Sequence, residues 1–413
     1  MLSVILKNAR IFDGVSADCP DGMQVLVEAG VIREVSDKPI KSNSSYVIDL
    51  AGSTLMPGLI DAHIHAYFSD VNWQMVDRVG EAYRAIHAVR MLRHALDCGF
   101  TTVRDVGGGN YGLWRAIEDR LIRAPRFFYA GKMLSMTGGH GDTRLMSESA
   151  HNQGYCSCGG ANALCVVADG VDECVKAARE ELRCGAHCIK IMASGGVASP
   201  TDPIWMNQYR EDEIRAIVNE VTERRTYVSA HCHPAIAVRR CVELGVRVIE
   251  HGTLMDDESA RVVASRGAYV VPTLVIICVL AEQGSELGLP LASQEKVQVV
   301  MRQALEGLES MRAAGVKIGF GTDLLGVTYV QQCREFSLRR QVFSPLEIIR
   351  QATSTNAELL KQEGKLGCIK AGAYADLLVV AGDPLKDIEL LAANGHRLQL
   401  VMRGGELIRN EFR

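Results

Sequence analysis

The stretch Pro57-Gly58-Leu59-Ile60-Asp61-Ala62-His63-Ile64-His65 decides how this sequence folds. Its residue types alternate, which predicts a strand. Residues i and i+2 of a strand face the same way. Leu59, Asp61, His63 and His65 therefore share one face, and Ile60, Ala62 and Ile64 the other. Two imidazoles so spaced, at the end of an apolar strand, can grip one metal ion from one side. A hydrolytic metal must also keep a position open for water. The pair gains meaning if other strands end in further ligands.

Outward from this strand, the pattern alternates. Further strands are expected at 101–105, 126–132, 187–193, 226–231, 246–251, 268–274 and 316–322. Helical stretches fall at 77–98, 111–122, 171–184, 211–224, 234–244, 258–265, 294–314 and 345–361. Such alternation points to an α/β fold with a parallel sheet, and eight units point to a (β/α)8 TIM barrel over residues 57–365. The two ends read differently. Short β-rich runs at 4–6, 24–28, 31–35, 46–49, 375–380, 398–403 and 406–408 are separated by Gly, Asp, Pro and Ser. Neither end has enough apolar residues for its own core. A small β-sandwich domain built from 1–56 and 366–413 together would bury both.

In such a barrel the active site lies at the C-terminal ends of the strands. His63 and His65 end the first strand. Lys190 sits in the apolar fourth, His231 ends the fifth, His251 the sixth and Asp323 the eighth. All six converge on one rim. A lysine near a metal would be repelled as an ammonium, and its ordinary pKa of about 10.4 keeps it charged. Reaction with CO2 would turn it into a carbamate, an anion able to bridge two metals. A Gly-rich stretch of roughly 35 residues follows the third strand, too long for mere connection, and it carries His140.

Composition narrows the class. The 413 residues fit one large barrel with an accessory domain. A net charge of −4, with charges interspersed, leaves no nucleic-acid footprint. No apolar run reaches the ~20 residues needed to span a bilayer. The segment Met1–Arg10 reads as a first strand rather than a signal peptide. Thirteen scattered cysteines do not look like a secreted disulfide framework, and a reducing cytoplasm is expected. Cys156-Ser157-Cys158 reads as two thiols in a loop rather than a metal clip, since no second pair at zinc-finger spacing accompanies it.

These features resemble the amidohydrolase superfamily over nearly the whole chain. Within it the chain looks most like prolidase-like dipeptidases, close to the imidazolonepropionase-related branch. The matching strings are Met136-Thr137-Gly138-Gly139-His140-Gly141-Asp142, then Ile189-Lys190-Ile191-Met192-Ala193-Ser194-Gly195-Gly196-Val197 on to Pro203, and Gly319-Phe320-Gly321-Thr322-Asp323-Leu324-Leu325-Gly326. The resemblance implies two divalent metal ions, with Zn2+ expected. His63, His65 and Asp323 would hold the more buried ion, and His231 and His251 the more exposed one. A carboxylated Lys190 (N6-carboxylysine) and a hydroxide would bridge them. It implies hydrolysis of an amide bond beside an L-amino-acid carboxylate, in an Xaa-Pro dipeptide or N-acyl-proline. Asp323 would serve as general base and then acid, and His140 would donate to the developing oxyanion. A homo-oligomer acting on a small molecule is expected.

One residue departs from the pattern. Two positions after the strand-five histidine these relatives typically carry a tyrosine that contacts the substrate carboxylate, whereas this chain has His233. Tyr227 lies on the His231 face, deeper in the strand. Arg210 and Arg334 are candidate carboxylate partners, and the apolar stretch 274–290 would shape the leaving-group pocket. The alternative reading keeps the site but assigns it a cyclic or xenobiotic amide, carbamate or urea. A deaminase is disfavoured, because such members usually have one metal and a Glu soon after the strand-five histidine. This chain has His231-Cys232-His233-Pro234 and Lys190.

Overall fold

The structure, a computed structural model, describes residues 3–41, 46–144, 164–199 and 202–412. Cys156-Ser157-Cys158 lies outside the described residues. From the N-terminal side come β1 (Val4–Ile11), β2 (Met23–Glu28), β3 (Val31–Ser36), β4 (Tyr46–Asp49) and β5 (Thr54–Pro57). The middle supplies β6 (Leu59–Ile64), β7 (Phe100–Asp105), β8 (Arg126–Tyr129), β9 (Met133–Ser135), β10 (Cys165–Val167), β11 (Ile189–Met192), β12 (Val228–Pro234), β13 (Val248–Leu254), β14 (Tyr269–Val271) and β15 (Lys317–Ile318). The C-terminal side adds β16 (Leu377–Val380), β17 (Leu398–Arg403) and β18 (Glu406–Asn410).

The two ends meet in one eight-stranded sheet of order β18-β17-β16-β5-β1-β2-β3, with β4 on β1. β5 and β16 run antiparallel, with Leu377 opposite Pro57 and Val379 opposite Leu55. Val4, Leu6, Val25, Val27 and Leu55 from one end pack with Leu377, Val379, Leu400 and Met402 from the other. Apolar burial is the main favourable term of folding, and here it requires both ends.

The middle strands form two parallel sheets, β6-β7-β8 and β10-β9-β11-β12-β13-β14-β15. Their edges are linked by main-chain bonds. The amides of Ala62 and Asp323 donate to Phe320 O and His63 O at 2.9 and 2.8 Å, and His187 N donates to Tyr129 O at 2.8 Å. Helices alternate with these strands, as an α/β protein requires. Among the described residues no helix is long and apolar enough to cross a membrane.

Several boundaries differ from expectation. The opening stretch is not one strand: Pro57 ends β5 and Leu59 begins β6. Gly58 marks the switch, since a Cβ there would sit 2.0 Å from Thr101 Oγ1. Its alternation also breaks. The β6–β7 register slips between Asp61 and Ile64, a bulge that re-aims side chains. Ile60 and Ala62 fall in one core cluster and Ile64 in another. Asp61 leaves the histidine face to accept from Thr322 Oγ1 and Gln332 Nε2, at 2.6 and 2.8 Å.

The expected helix 77–98 is two helices, Trp73–Arg78 and Glu81–Asp97. Arg84 Nη1 donates to the carbonyls of Val76 and Val79 and so holds the break. The third strand stops at Tyr129, because Gly131 takes φ +76° where a Cβ would strike Glu181. β9 and β10 were not expected. The last helical stretch is interrupted by a π turn at Gln351–Thr355. Just after it, Asn356 Nδ2 donates to Ile60 O and Phe320 O, at 2.7 and 2.8 Å, tying β6 to the segment after β15.

Candidate metal centre and active site

The rim at the C-terminal ends of β6, β11, β12 and β13, beside the segment after β15, gathers a dense polar cluster. A cleft there is lined by His65, His140, Lys190, His231, His233, His251 and Asp323, with Trp73, Met192, Val197, Ile276, Ile277, Leu280 and Leu325 as apolar wall. His63 lies just beneath, fully buried. The rings of His63 and His65 have centroids 5.3 Å apart, those of His63 and His251 5.0 Å, and those of His231 and His251 4.7 Å. Asp323 Oδ1 stands 3.2 Å from His63 Nε2 and 3.3 Å from His65 Nε2. Four strands and one loop, distant in sequence, thus deliver all six expected ligands to one place.

Four of the imidazoles are held by their other edge. His63 Nδ1 lies 2.7 Å from Glu250 Oε2, and His65 Nδ1 3.0 Å from Gly107 O. His251 Nδ1 meets Thr273 Oγ1 at 2.8 Å, and His233 Nδ1 meets Thr253 Oγ1 at 2.6 Å. Outer partners of this kind fix the ring and its tautomer and leave the second nitrogen to a metal. His63 Nε2 is buried without a hydrogen-bond partner among the described residues. An unmet buried polar atom is costly, so its presence at the centre of the cluster fits a cation that the residues are built to hold.

The backbone is strained at the same place. His251 and Asp323 adopt φ +70° and +56°, a region that non-glycine residues avoid unless the surroundings enforce it. Gly321 permits the approach of the last strand, since a Cβ there would come within 2.6 Å of His63 Cβ.

The electrostatics suit metal binding. Burial pushes His231 and His251 well below the usual imidazole range, leaving neutral rings with a lone pair to give. Burial works against charge on Asp323, yet His63, His65 and His251 beside it hold it well below the usual carboxylate range. Burial depresses Lys190, with Glu250 and Asp323 only partly opposing it. Among the described residues Lys190 Nζ has no hydrogen bond or salt-bridge partner.

The remaining expected residues divide. His140 joins the cleft, its ring stacked on His231 at 4.4 Å. His233 is also there. Ligand atoms of His231, His233 and His251 lie within 4.8 Å of one another, as do those of His63, His251 and Asp323. Burial takes His233 down to about 3, so it faces the cleft as a neutral ring. Tyr227 does not line the cleft; it packs with Ile60, Cys188 and Val248 in the core below. Arg210 and Arg334 are spent on Asp212 and Glu282. The stretch 274–290 begins as the helix Leu274–Gln283, and its Ile276, Ile277 and Leu280 form the expected apolar wall.

Sequence reasoning missed the supporting shell. Glu250 accepts from Arg104 Nη2 at 2.6 Å and from Ser229 Oγ as well as touching His63. Asp105 accepts from the amides of Ala66, Gly107 and Gly109, and so fixes the turn that offers Gly107 O to His65. The signal was present in Arg104-Asp105, two charges closing the otherwise uncharged strand Phe100–Asp105.

Residues 54–408 match the amidohydrolase family. The chain belongs to that family. This amidohydrolase is 32% identical over 371 residues to ochratoxinase from Aspergillus niger, spanning 86% of this chain and 75% of the relative. Among solved structures it is similar to another amidohydrolase at 49% identity, with a TM-score of 0.96 and 99% of each chain covered. It is also similar to a prolidase complexed with N-methylphosphonate-L-proline, at 42% identity and TM-score 0.95, covering 99% of this chain and all of that one. The amidohydrolase is prolidase-like, and its chemistry is hydrolysis of amide bonds.

Proposed function

We propose that this chain cleaves the amide bond of a dipeptide or N-acyl-amino acid, of Xaa-Pro or N-acyl-proline type, with two divalent metal ions. The observation that carries the reading is the set of buried lone pairs around His63 Nε2 and Asp323, each ring steadied from behind. His63, His65 and Asp323 would hold one ion and His231 and His251 the other. His233 would flank the second, and Lys190, carboxylated, would serve both. A buried lysine without a salt bridge is poorly accommodated as a cation, whereas as a carbamate it complements two cations. Bound there, Zn2+ ions supply Lewis acidity and acidify water.

The protein's own groups do the rest. Asp323 takes the proton of the attacking water and delivers it to the leaving nitrogen. His140 hydrogen-bonds the carbonyl oxygen as the carbon it is attached to becomes tetrahedral. Trp73, Ile276, Ile277 and Leu280 receive the apolar part of the substrate. The scaffold we infer is a closed eight-unit barrel over 57–365, with the sheet from both ends as a sandwich domain of 1–56 and 366–413.

One observation favours a second reading. Lys190 is the only lysine or arginine among the described cleft residues, and His233 replaces the expected carboxylate-binding tyrosine. A bulky apolar amide suits such walls.

The test is a panel of Xaa-Pro dipeptides, N-acyl-prolines, N-acyl-phenylalanines and anilides, assayed on protein with measured metal content. Release of the amine, with close to two metals per chain, is expected. Two metals per chain with no cleavage across the panel would overturn the reading.

A further inference from the structure

We propose that Asp202 is a positioning residue for His140, and that Lys296 clamps the loop carrying it. The proposal rests on the amide-hydrolase reading. Asp202 is fully buried after β11. One of its oxygens, Oδ2, accepts from His140 Nδ1 at 3.1 Å, from Gly196 N at 3.0 Å and from Gln208 Nε2 at 3.2 Å. Gln208 Oε1 accepts in turn from His140 N at 2.9 Å. Two side chains from one short segment therefore hold both the ring and the main chain of a single histidine.

The ring has little freedom otherwise. Trp73 meets it at 5.0 Å and His231 stacks on it. Gly196 lies so close that a Cβ there would come within 2.4 Å of Nε2. Imidazole nitrogens lie on opposite edges, so docking Nδ1 on Asp202 turns the Nε2 edge towards the cleft.

Lys296 belongs to the long helix Leu291–Ala313. Its Nζ donates to Gly196 O, Ser199 O and Asp202 O, at 3.1, 2.7 and 2.5 Å. An ammonium has three donors, and all three are spent on one main-chain loop. The clamp joins the wall side of the cleft to the histidine on the other. A buried carboxylate aimed at a cleft histidine, with a cation locking its loop, has no evident purpose in a merely structural loop.

The experiment uses the full, metal-loaded chain and the best substrate of the panel. Asp202→Asn and Lys296→Met are made in the wild type and in His140→Ala. Asp202→Asn is expected to lower kcat by about 100-fold, the cost of misplacing a catalytic group. KM should change less than threefold and metal content should not change. In His140→Ala the same substitution should cost less than twofold, because coupled residues do not add. Lys296→Met should show the same pattern, more weakly. Equal losses in both backgrounds, or a rise in KM with kcat intact, would overturn the proposal. The His140 ring is read separately by 15N NMR of histidine-labelled protein. A proton on Nδ1 is expected in the wild type, redistributed in Asp202→Asn. If the panel finds no substrate, the hydrolase reading fails, and an unmoved ring signal would refute the positioning independently.

Discussion

Two charged networks are buried in this molecule, and they are built on opposite principles. Glu335 and Arg339, both fully buried, satisfy each other and their surroundings. Arg339 Nε donates to Glu335 Oε1 at 2.7 Å, and its other nitrogens reach Gly319 O, Gln351 Oε1 and Pro272 O at 2.7–2.8 Å. Glu335 Oε2 takes Val275 N at 2.7 Å. The rim is as deeply buried, yet among the described residues His63 Nε2 and Lys190 are left without hydrogen-bond partners. Burial and charge are common to both. Of these two networks, only the rim leaves the nitrogen of a candidate ligand unspent, and that difference, rather than depth, sets them apart.

The comparison can be broken most sharply at Lys190. Lys190→Met should cost roughly 1000-fold or more in hydrolysis, while chelator-treated protein melts no lower than the chelator-treated wild type. A clear fall in that melting temperature would mean that Lys190 is structural after all. Glu335→Ala should do the reverse. Stranding Arg339 should cost about 3–5 kcal/mol of stability, read by urea unfolding, with metal content unchanged. Glu250 stands between the networks, bonded to Arg104 on one side and His63 on the other. Glu250→Gln should weaken metal binding by about 10–100-fold and lower stability as well, measured by chelator competition and unfolding on one preparation.

His233→Tyr sharpens the comparison from the substrate side. It should shift kcat/KM about tenfold towards substrates with a free carboxylate, measured against the matching amides; an unchanged ratio would remove position 233 from recognition. The smallest effect is expected outside the site, at His187. Burial depresses this imidazole, whose Nδ1 accepts from Tyr129 N. The unfolded chain therefore binds the proton more readily. Stability from this group is full above about pH 6.5 and declines as the pH falls below it. His187→Asn should flatten that slope in unfolding curves taken between pH 7 and 5, and an unaltered slope would contradict the assignment.

Much of the site was legible in the sequence because its ligands end apolar strands. His231, His251 and Asp323 each lie at the C-terminal end of a strand-like run rich in apolar residues, and the alternation of strands and helices carries them to one rim. The supporting residues carry no such signal. Asp202 sits in a loop between Gly195 and Pro203, and its partner lies 62 residues away. Tyr227 shares the strand parity of His231, but parity does not report depth, and the structure puts it in the core. Asp61 misled for a related reason: alternation holds only while register holds, and β6 slips beside His63. Pro57–His65 read as one strand because residue pattern does not reveal a change of sheet.

That change of sheet carries a consequence for how the chain emerges from a ribosome. β5 runs into β6 through a single glycine, yet its neighbour β16 is encoded more than 300 residues later. At about 5–20 residues per second, tens of seconds separate the two. Throughout that interval the strand leading into His63 and His65 has one flank unoccupied, and an unpaired edge invites association with other chains. β16, made long after β6, thus completes the pairing of the strand that leads into the first histidines.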